Sequence, residues 1–130
     1  MTRATFPEVR IRRVAAGDRA AWLRMRYALW PAERGEYGHE REIDAFLAGE
    51  SATLAAVLVA EARGVGPVGF LELCVRDDAD GSGARAVPHV DAWYVEAEYR
   101  RRRIGARLLA AGRRWAHTAG YAELGSPISS

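Results

Sequence analysis

One stretch of the sequence decides the fold, and it reads Val90-Asp91-Ala92-Trp93-Tyr94-Val95-Glu96-Ala97-Glu98-Tyr99-Arg100-Arg101-Arg102-Arg103-Ile104-Gly105-Ala106-Arg107-Leu108-Leu109. Residues 90–95 favour a β-strand, and an arginine-rich turn follows them. Residues 103–118 favour a helix, because apolar side chains recur there at helical spacing, at Ile104, Leu108, Ala111 and Trp115. The first N–H groups of a helix have no internal partner and lie at the positive end of its dipole. The stretch therefore predicts a strand, a turn and a helix whose beginning binds an anion.

The rest of the chain predicts the element order β-α-α-β-β-β-α-β. The first strand covers residues 9–14, and Asp18 is the expected N-cap of a helix that Pro31 ends. A second helix is predicted over residues 39–48, and residues 54–60 read as a strand buried on both faces. A turn at 64–67, a strand over 68–75 and a last strand beginning at 121–124 complete the order. These elements predict an α/β (α+β) fold, with a mixed, mostly antiparallel sheet flanked by helices.

Length and composition narrow the class of protein. The chain has 130 residues, of which 49% are hydrophobic and 28% charged, which suits one domain over residues 1–130. No apolar run is long enough for a membrane span, and the first residues do not resemble a signal peptide. The single cysteine, Cys74, excludes an internal disulfide and is expected to be a small buried side chain. These features favour a cytoplasmic protein with no membrane partner.

Charge and histidine content argue against a nucleic-acid-binding protein and a metalloprotein. The 19 basic residues are all arginine, but the net charge of +2 is too small to indicate a nucleic-acid partner. No Cys/His pair has zinc spacing, so no metal is expected, and the histidines at 39, 89 and 117 are interpreted as ordinary surface or packing residues. The arginine run at 100–103 has two interpretations, a phosphate site or a solvated basic turn.

The arginine-rich turn resembles the acetyl-CoA signature of the GNAT superfamily of N-acetyltransferases, Arg/Gln-x-x-Gly-x-Gly/Ala. Here it reads Arg100-x-x-Arg103-Ile104-Gly105, with Arg103 at the position of the first glycine. The resemblance implies acetyl-CoA as co-substrate. The residues that it implies for cofactor binding are Trp93, Tyr94, Val95, Arg100, Arg101, Arg102, Arg103, Ile104, Gly105 and Ala106.

Four further segments resemble the aminoglycoside 6′-N-acetyltransferases within that superfamily, namely residues 29–31, 39–43, 69–72 and 90–95. The resemblance implies that Trp30 lines the site of a small-molecule amine. Asp91 stands where the family has glutamate, and Ser126-Pro127 stands where it has Ser-Asp. The family's last helix and strands have no counterpart, so the chain is similar to a C-terminally truncated member. The uncovered sheet edge expected from this predicts a homodimer.

The implied reaction is the transfer of an acetyl group from acetyl-CoA to a primary amine. Asp91 is the candidate catalytic residue, since a carboxylate can accept the amine's proton directly or through water. A peptide N–H near Tyr94 and Val95 is expected to stabilise the oxyanion. Trp30, Glu72 and Asp91 are the candidate substrate-binding residues. A polycationic substrate needs an acidic wall, for which the candidates are Glu33, Glu36, Glu40, Glu42, Glu72, Asp77, Asp78, Asp80 and Asp91.

Each of these assignments has a structural alternative. Asp91 can be an ordinary polar strand residue, Trp30 a helix-end packing residue, and Glu72 a paired structural carboxylate. Trp22 and Trp115 lie on apolar helical stripes and are expected in the core. At the level of function, the alternatives are an acetyltransferase for another small amine or a peptide, and a non-catalytic remnant that binds only CoA or a partner chain.

Overall fold

The computed structural model describes residues 6–31, 38–76, 87–121 and 124. Its strands are β1 (Val9–Arg13), β2 (Leu54–Ala62), β3 (Gly66–Arg76) and β4 (Val87–Val95). Its helices are α1 (Arg19–Leu29), α2 (Gly38–Leu47) and α3 (Ile104–Thr118), and short 3₁₀ turns precede α1 and α3 at Ala16–Asp18 and Ala97–Tyr99. The predicted strands and helices are therefore confirmed up to α3, with shifts of a few residues at their ends.

The strands form one sheet in the order β1-β2-β3-β4, and each neighbouring pair is antiparallel. This confirms the predicted α/β fold with a mostly antiparallel sheet. Of the predicted last strand, Tyr121 and Leu124 are not in a strand, and Ala122 and Glu123 lie outside the described residues. Ser126 and Pro127 also lie outside them.

A hydrophobic core lies on each face of the sheet. α3 covers one face, where Leu108 packs with Leu71 and Leu73, and α1 and α2 cover the other, where Trp22 and Ile43 pack with Phe70. β2 is buried on both faces as predicted, apart from the exposed Ala55. No helix in the described part of the chain is long and apolar enough to cross a bilayer.

Three of the predicted packing roles can be checked directly. Trp22 is fully buried and Cys74 is buried, as expected. Trp115 packs against the core on the α3 face, as expected, but it is only half-buried and stacks on Tyr121, with their ring centroids 6.1 Å apart. Its position at the edge of the α3 stripe explains this, since Gly112 and Ala116 occupy the centre of that face.

Asp18 precedes α1 as predicted, but its carboxylate does not cap that helix. It accepts a hydrogen bond from the Ala15 N–H at 2.7 Å, and both of its oxygens accept from the Arg12 guanidinium, at 2.8 and 2.9 Å. The hydrogen bond from Arg12 lowers the pKa of Asp18 below its ordinary value. Asp18 therefore ties β1 to the turn before α1.

Two glycines allow the close approaches on which the site depends. A Cβ atom on Gly69 in β3 would lie 2.9 Å from the Tyr94 carbonyl oxygen of β4. A Cβ atom on Gly112 in α3 would lie 2.8 Å from a methyl group of Leu71. Any larger residue at these two positions would therefore require its neighbours to shift. Glycine lets β3 pack closely against β4 and against α3.

Candidate functional site

A cleft of about 510 Å³ lies where β4 ends and α3 begins. Its walls come from the end of α1, the end of β4 and the turn before α3, namely Leu29, Trp93, Tyr94, Val95, Arg100, Arg101, Arg103, Ile104 and Gly105. We call it the cofactor cleft. The structure thus brings together all the predicted cofactor residues except Arg102 and Ala106.

The side chains of those two residues do not line the cleft. The Arg102 guanidinium lies over the ring of Phe6, 3.0 Å from its centroid, and so points to the segment before β1. Ala106 is exposed on the first turn of α3 and does not line the cleft. In a turn with four consecutive arginines, successive side chains leave the backbone in different directions, and composition alone cannot show which of them share a cavity.

The backbone of the turn is left-handed at two arginines. Arg101 has a φ of 66° and Arg103 a φ of 64°. This conformation costs about 1–2 kcal/mol for a residue with a side chain, whereas glycine adopts it freely. Arg103 stands at the first glycine position of the signature, so the turn keeps the glycine conformation although the glycine is absent.

The same conformation places Arg103 as the N-cap of α3. The first bond of the helix runs from the Arg107 N–H to the Arg103 carbonyl at 3.0 Å. The N–H groups of Ile104, Gly105 and Ala106 precede this bond, which is the arrangement that binds anions at helix N-termini. The helix dipole and the guanidinium groups of Arg100, Arg101 and Arg103 make the cleft electropositive.

Arg100 has a second role besides its charge. Its Nε donates to the Val95 carbonyl at 2.7 Å, and its guanidinium lies 5.7 Å from the centroid of the Tyr94 ring. The Glu96 N–H donates to Val68 of β3 at 2.8 Å. The backbone N–H and C=O groups of successive residues in a strand point to opposite edges. Because those of Glu96 point to β3, the N–H and the carbonyl of Val95 point away from it. That N–H therefore faces the edge of β4 at which no strand lies among the described residues.

Trp93 and Gly105 form the rim of the cleft. The Trp93 Nε1–H donates to the Gly105 carbonyl at 3.1 Å. A Cβ atom on Gly105 would meet the Trp93 ring at 3.5 Å, which is an ordinary contact. An alanine would therefore fit at this position, in agreement with the Gly/Ala choice of the signature.

A second, smaller cleft of about 230 Å³ lies between α1, α2 and the sheet. Its lining residues are Arg26, Glu42, Thr53, Leu54, Cys74, Val75 and Asp91. We call it the acidic pocket, because one guanidinium faces two carboxylates there. Two of the predicted acidic residues, Glu42 and Asp91, are thus brought together.

Asp91 enters this pocket through a β-bulge. Leu73 pairs with Val90 and Glu72 pairs with Ala92, so β4 has one more residue than β3 between the two pairs, and that residue is Asp91. A bulge turns an extra side chain toward the face of its neighbour. Asp91 is therefore half-buried in the pocket rather than being an ordinary member of the strand alternation.

Glu72 belongs to a buried hydrogen-bond network. Its side chain is fully buried, and its carboxylate accepts from the Trp22 Nε1–H at 2.8 Å and from the Arg26 Nε and Nη2, each at 2.7 Å. The contact of Glu72 with substrate stays a prediction, and these bonds favour its alternative. Its inward direction and its three donors match the alternative interpretation, a paired structural carboxylate.

Arg26 is the residue that sequence reasoning missed at this site. Its side chain is 1% exposed, and its Nη1 donates to Glu42 at 2.5 Å. Burial lowers its pKa, but the hydrogen bonds and charges of Glu72 and Glu42 outweigh burial and raise it. The signal that was available is its spacing, because position 26 lies four residues after Trp22 on the buried side of α1.

Trp30 lies at the end of α1, directly after Leu29 of the cofactor cleft. It is half-buried, and the Arg26 guanidinium lies 5.5 Å from its ring centroid. His39 stacks on the same ring and is itself buried, so the expectation of an ordinary surface or packing histidine misses its two polar contacts. Trp30 thus stands between the cofactor cleft and the buried network.

The remaining candidates for the acidic wall divide into two groups. Glu40 accepts a hydrogen bond from the Tyr27 hydroxyl at 3.0 Å. The others lie outside the described residues, namely Glu33, Glu36, Asp77, Asp78 and Asp80. Within the described ranges, no three His, Cys, Asp or Glu side chains are grouped in a way that suits a metal ion.

Comparisons with known proteins give a consistent result. The model of the acetyltransferase (GNAT) family matches residues 21–126. An aminoglycoside N(6′)-acetyltransferase type 1 of Klebsiella aerogenes is 38% identical over 116 residues, which is 89% of this chain and 76% of that protein. A protein of the same name from Stenotrophomonas maltophilia is 33% identical over 117 residues, covering 89% and 72%.

Solved structures show the same likeness. The aminoglycoside acetyltransferase AAC(6′)-Iy, bound to the bisubstrate analogue CoA-S-monomethyl-acetylneamine, superposes with a TM-score of 0.79 at 27% identity, covering 94% of this chain and 80% of that one. The same protein bound to CoA gives 0.80 at 26% identity, covering 98% and 82%. The comparisons confirm the predicted fold and the predicted enzyme class, an N-acetyltransferase. Because the family model matches most of its length, this chain belongs to the GNAT family of acetyltransferases.

Proposed function

We propose that this chain transfers the acetyl group of acetyl-CoA to the 6′-amine of an aminoglycoside. The curated relatives carry the name of that activity, and AAC(6′)-Iy has been solved with CoA and with an analogue that joins CoA to neamine. The observation that carries the proposal is the shared strand β4. It contributes Trp93, Tyr94 and Val95 to the electropositive cofactor cleft and Asp91 to the acidic pocket.

The cofactor cleft suits the phosphates of acetyl-CoA. Arg100, Arg101 and Arg103 line it, and the unpaired N–H positions of the α3 N-terminus lie among them. Guanidinium groups and helix N-termini both bind phosphate oxygens. When bound there, acetyl-CoA would supply an activated thioester and would leave as the CoA thiolate. The Val95 N–H, which points away from β3, is the proposed donor to the thioester carbonyl oxygen.

Asp91 is the proposed general base. An amine must lose its proton to complete acyl transfer, and a carboxylate within reach, directly or through one water, can accept that proton. The bulge brings Asp91 into the pocket that Glu42 also lines, and Asp91 lies four residues before Val95, where β4 ends at the cofactor cleft. Its aspartate carboxylate is one methylene shorter than the family glutamate, and the bulge is what brings it into the pocket.

The charges of the acidic pocket favour a polycationic acceptor. Glu72 and Glu42 bond to the single guanidinium of Arg26, and Asp91 adds a third carboxylate. Among the described residues of this group, the carboxylates outnumber the one guanidinium. An aminoglycoside carries several ammonium groups, so Coulomb attraction would draw it to this pocket and orient it.

The test of this proposal combines binding and turnover. We expect the chain to bind acetyl-CoA in a calorimetric titration and to acetylate neamine, but not the counterpart of neamine that carries a 6′-hydroxyl. Arg100→Ala should weaken acetyl-CoA binding about tenfold, because it removes a charged contact and frees the end of β4. Arg113→Ala is the matched control, since Arg113 is an exposed arginine farther along α3 and should bind as the wild type does.

The outcomes separate the alternatives. Equal acetylation of both acceptors would exclude the 6′-amine, and turnover of other amines or peptides alone would favour an acetyltransferase with a different acceptor. Binding without turnover of any amine would favour a non-catalytic CoA-binding chain. Failure of well-folded protein to bind acetyl-CoA would contradict the cofactor cleft itself.

We also propose a single acetyltransferase domain, a cytoplasmic location and a homodimer. Acetyl-CoA is a cytoplasmic metabolite, which supports the location. β1 and β4 are the outer strands among the described residues, and an outer strand can pair with a partner chain. Sedimentation at micromolar concentration tests the dimer, and a single monomeric species would contradict it.

A further inference from the structure

His39 occupies an unusual position for a histidine. It is the second residue of α2, its side chain is buried, and both of its ring nitrogens are close to polar atoms. Nδ1 lies 3.2 Å from the Arg26 Nη1, and Nε2 lies 3.3 Å from the Trp30 carbonyl oxygen. The ring therefore bridges Arg26, which is paired with Glu72 in the core, and Trp30 at the end of α1.

These two contacts determine the tautomer of His39. An arginine Nη1 can only donate, so the Nδ1 facing it must accept. A carbonyl oxygen can only accept, so the Nε2 facing it must carry the proton and donate. The bridge therefore has a direction. Arg26 donates to His39, and His39 donates to Trp30.

Trp30 is held through its ring as well as through its backbone. Its ring stacks on that of His39, with centroids 6.0 Å apart and planes 9° apart, and the Arg26 guanidinium lies 5.5 Å from the ring. Arg26 itself is fixed by two hydrogen bonds to the fully buried Glu72. The indole orientation therefore depends on a chain of contacts that begins in the core.

We propose that His39 is a positioning residue for the amine acceptor, which it serves by fixing Trp30 at the edge of the acceptor site. This inference rests on the proposed function and on the expectation, from the resemblance, that Trp30 contacts the amine; Arg26, which lines the acidic pocket, lies against the Trp30 ring. Arg26 also donates to Glu42 of the acidic pocket, so the same network orients an aromatic wall and an acidic wall. His39 touches neither acetyl-CoA nor the reacting amine in this scheme.

A pair of conservative variants separates the two contacts. The amide of His39→Asn falls near the Nδ1 position and keeps an acceptor for Arg26. The amide of His39→Gln reaches the Nε2 position and keeps a donor for the Trp30 carbonyl. We expect His39→Asn to raise the KM for neamine about five- to tenfold, the effect of losing one hydrogen bond at the wall. His39→Gln should restore most of that loss, and kcat and the KM for acetyl-CoA should change less than twofold in both.

Tyr27→Phe is the matched control. Tyr27 packs edge-on against His39, with ring centroids 4.7 Å apart, and its hydroxyl bonds to Glu40 outside this chain of contacts. The variant keeps the ring and should leave the KM for neamine unchanged. A rise equal to that of His39→Asn would show that losing any hydrogen bond in this region has the same effect, and would overturn the proposal.

Other results would also overturn it. An unchanged KM in folded His39→Asn, or a loss of kcat with no change in KM, would show that His39 does not position the acceptor. If neither variant folds, His39 is a structural residue and the proposal fails. A wild-type chain that does not acetylate neamine would instead contradict the proposed function, so the two failures are distinguishable.

Discussion

The cofactor cleft and the acidic pocket differ in what shapes them, which is backbone conformation in the first and buried side chains in the second. The cofactor cleft uses backbone conformation and exposed arginines, with left-handed residues at positions 101 and 103. The acidic pocket depends on buried side chains, where Glu72 satisfies three donors from α1. A change of side chain should therefore alter binding at the first region and folding at the second.

The largest effect is expected from a substitution that breaks the buried network. Glu72→Gln removes the charge that pairs with Arg26 in a fully buried position, and we expect the free energy of unfolding to fall by about 3 kcal/mol. Urea denaturation followed by far-ultraviolet circular dichroism measures this. Asp44→Asn, at the exposed Arg19–Asp44 pair, is the control and should leave the unfolding midpoint unchanged. Equal effects of the two substitutions would show that burial does not determine how much these ion pairs contribute to stability.

A smaller effect is expected at the junction of the two regions. Gly69→Ala places a Cβ atom 2.9 Å from the Tyr94 carbonyl oxygen, so β3 and β4 must separate beside the cofactor cleft. We expect a loss of about 2 kcal/mol in the free energy of unfolding. Acetyl-CoA binding should weaken as well, because Tyr94 lines the cleft.

Gly17→Ala is the control for that substitution, since nothing lies within 4 Å of a Cβ atom there. It should unfold at the wild-type midpoint. If Gly69→Ala matches it in both stability and acetyl-CoA binding, the close approach of the two strands does not shape the cleft.

The contrast between the regions also decides what the sequence can predict. The cofactor cleft is predictable because its parts are adjacent in the chain, and hydrophobic spacing together with the residue 100–105 signature locates nearly all of them. The acidic pocket is assembled from residues far apart in sequence, such as Arg26 and Glu72, which are 46 positions apart. Periodicity shows that both face inward but not that they meet.

Two other features show the same limit. The bulge at Asp91 depends on the pairing register of β4 with β3, and no residue pattern within β4 alone specifies that register. The direction of Arg102 toward Phe6 depends on a segment about a hundred positions earlier. The sequence identifies the charged residues that are candidates for the site. Tertiary packing determines which of them face the clefts.

The smallest expected effect sharpens the comparison at the cofactor cleft. Arg103→Gly restores the residue that the left-handed N-cap favours, and we expect it to gain about 0.5–1 kcal/mol in the free energy of unfolding. Arg103→Ala removes the same guanidinium but keeps a Cβ atom at a φ of 64°, so it should show no such gain. Both variants should weaken acetyl-CoA binding to the same extent, because both remove one charge from the cleft wall. Urea denaturation and calorimetric titration of the pair therefore separate backbone strain from phosphate binding. A gain in affinity with Arg103→Gly would mean instead that the side chain obstructs the phosphates.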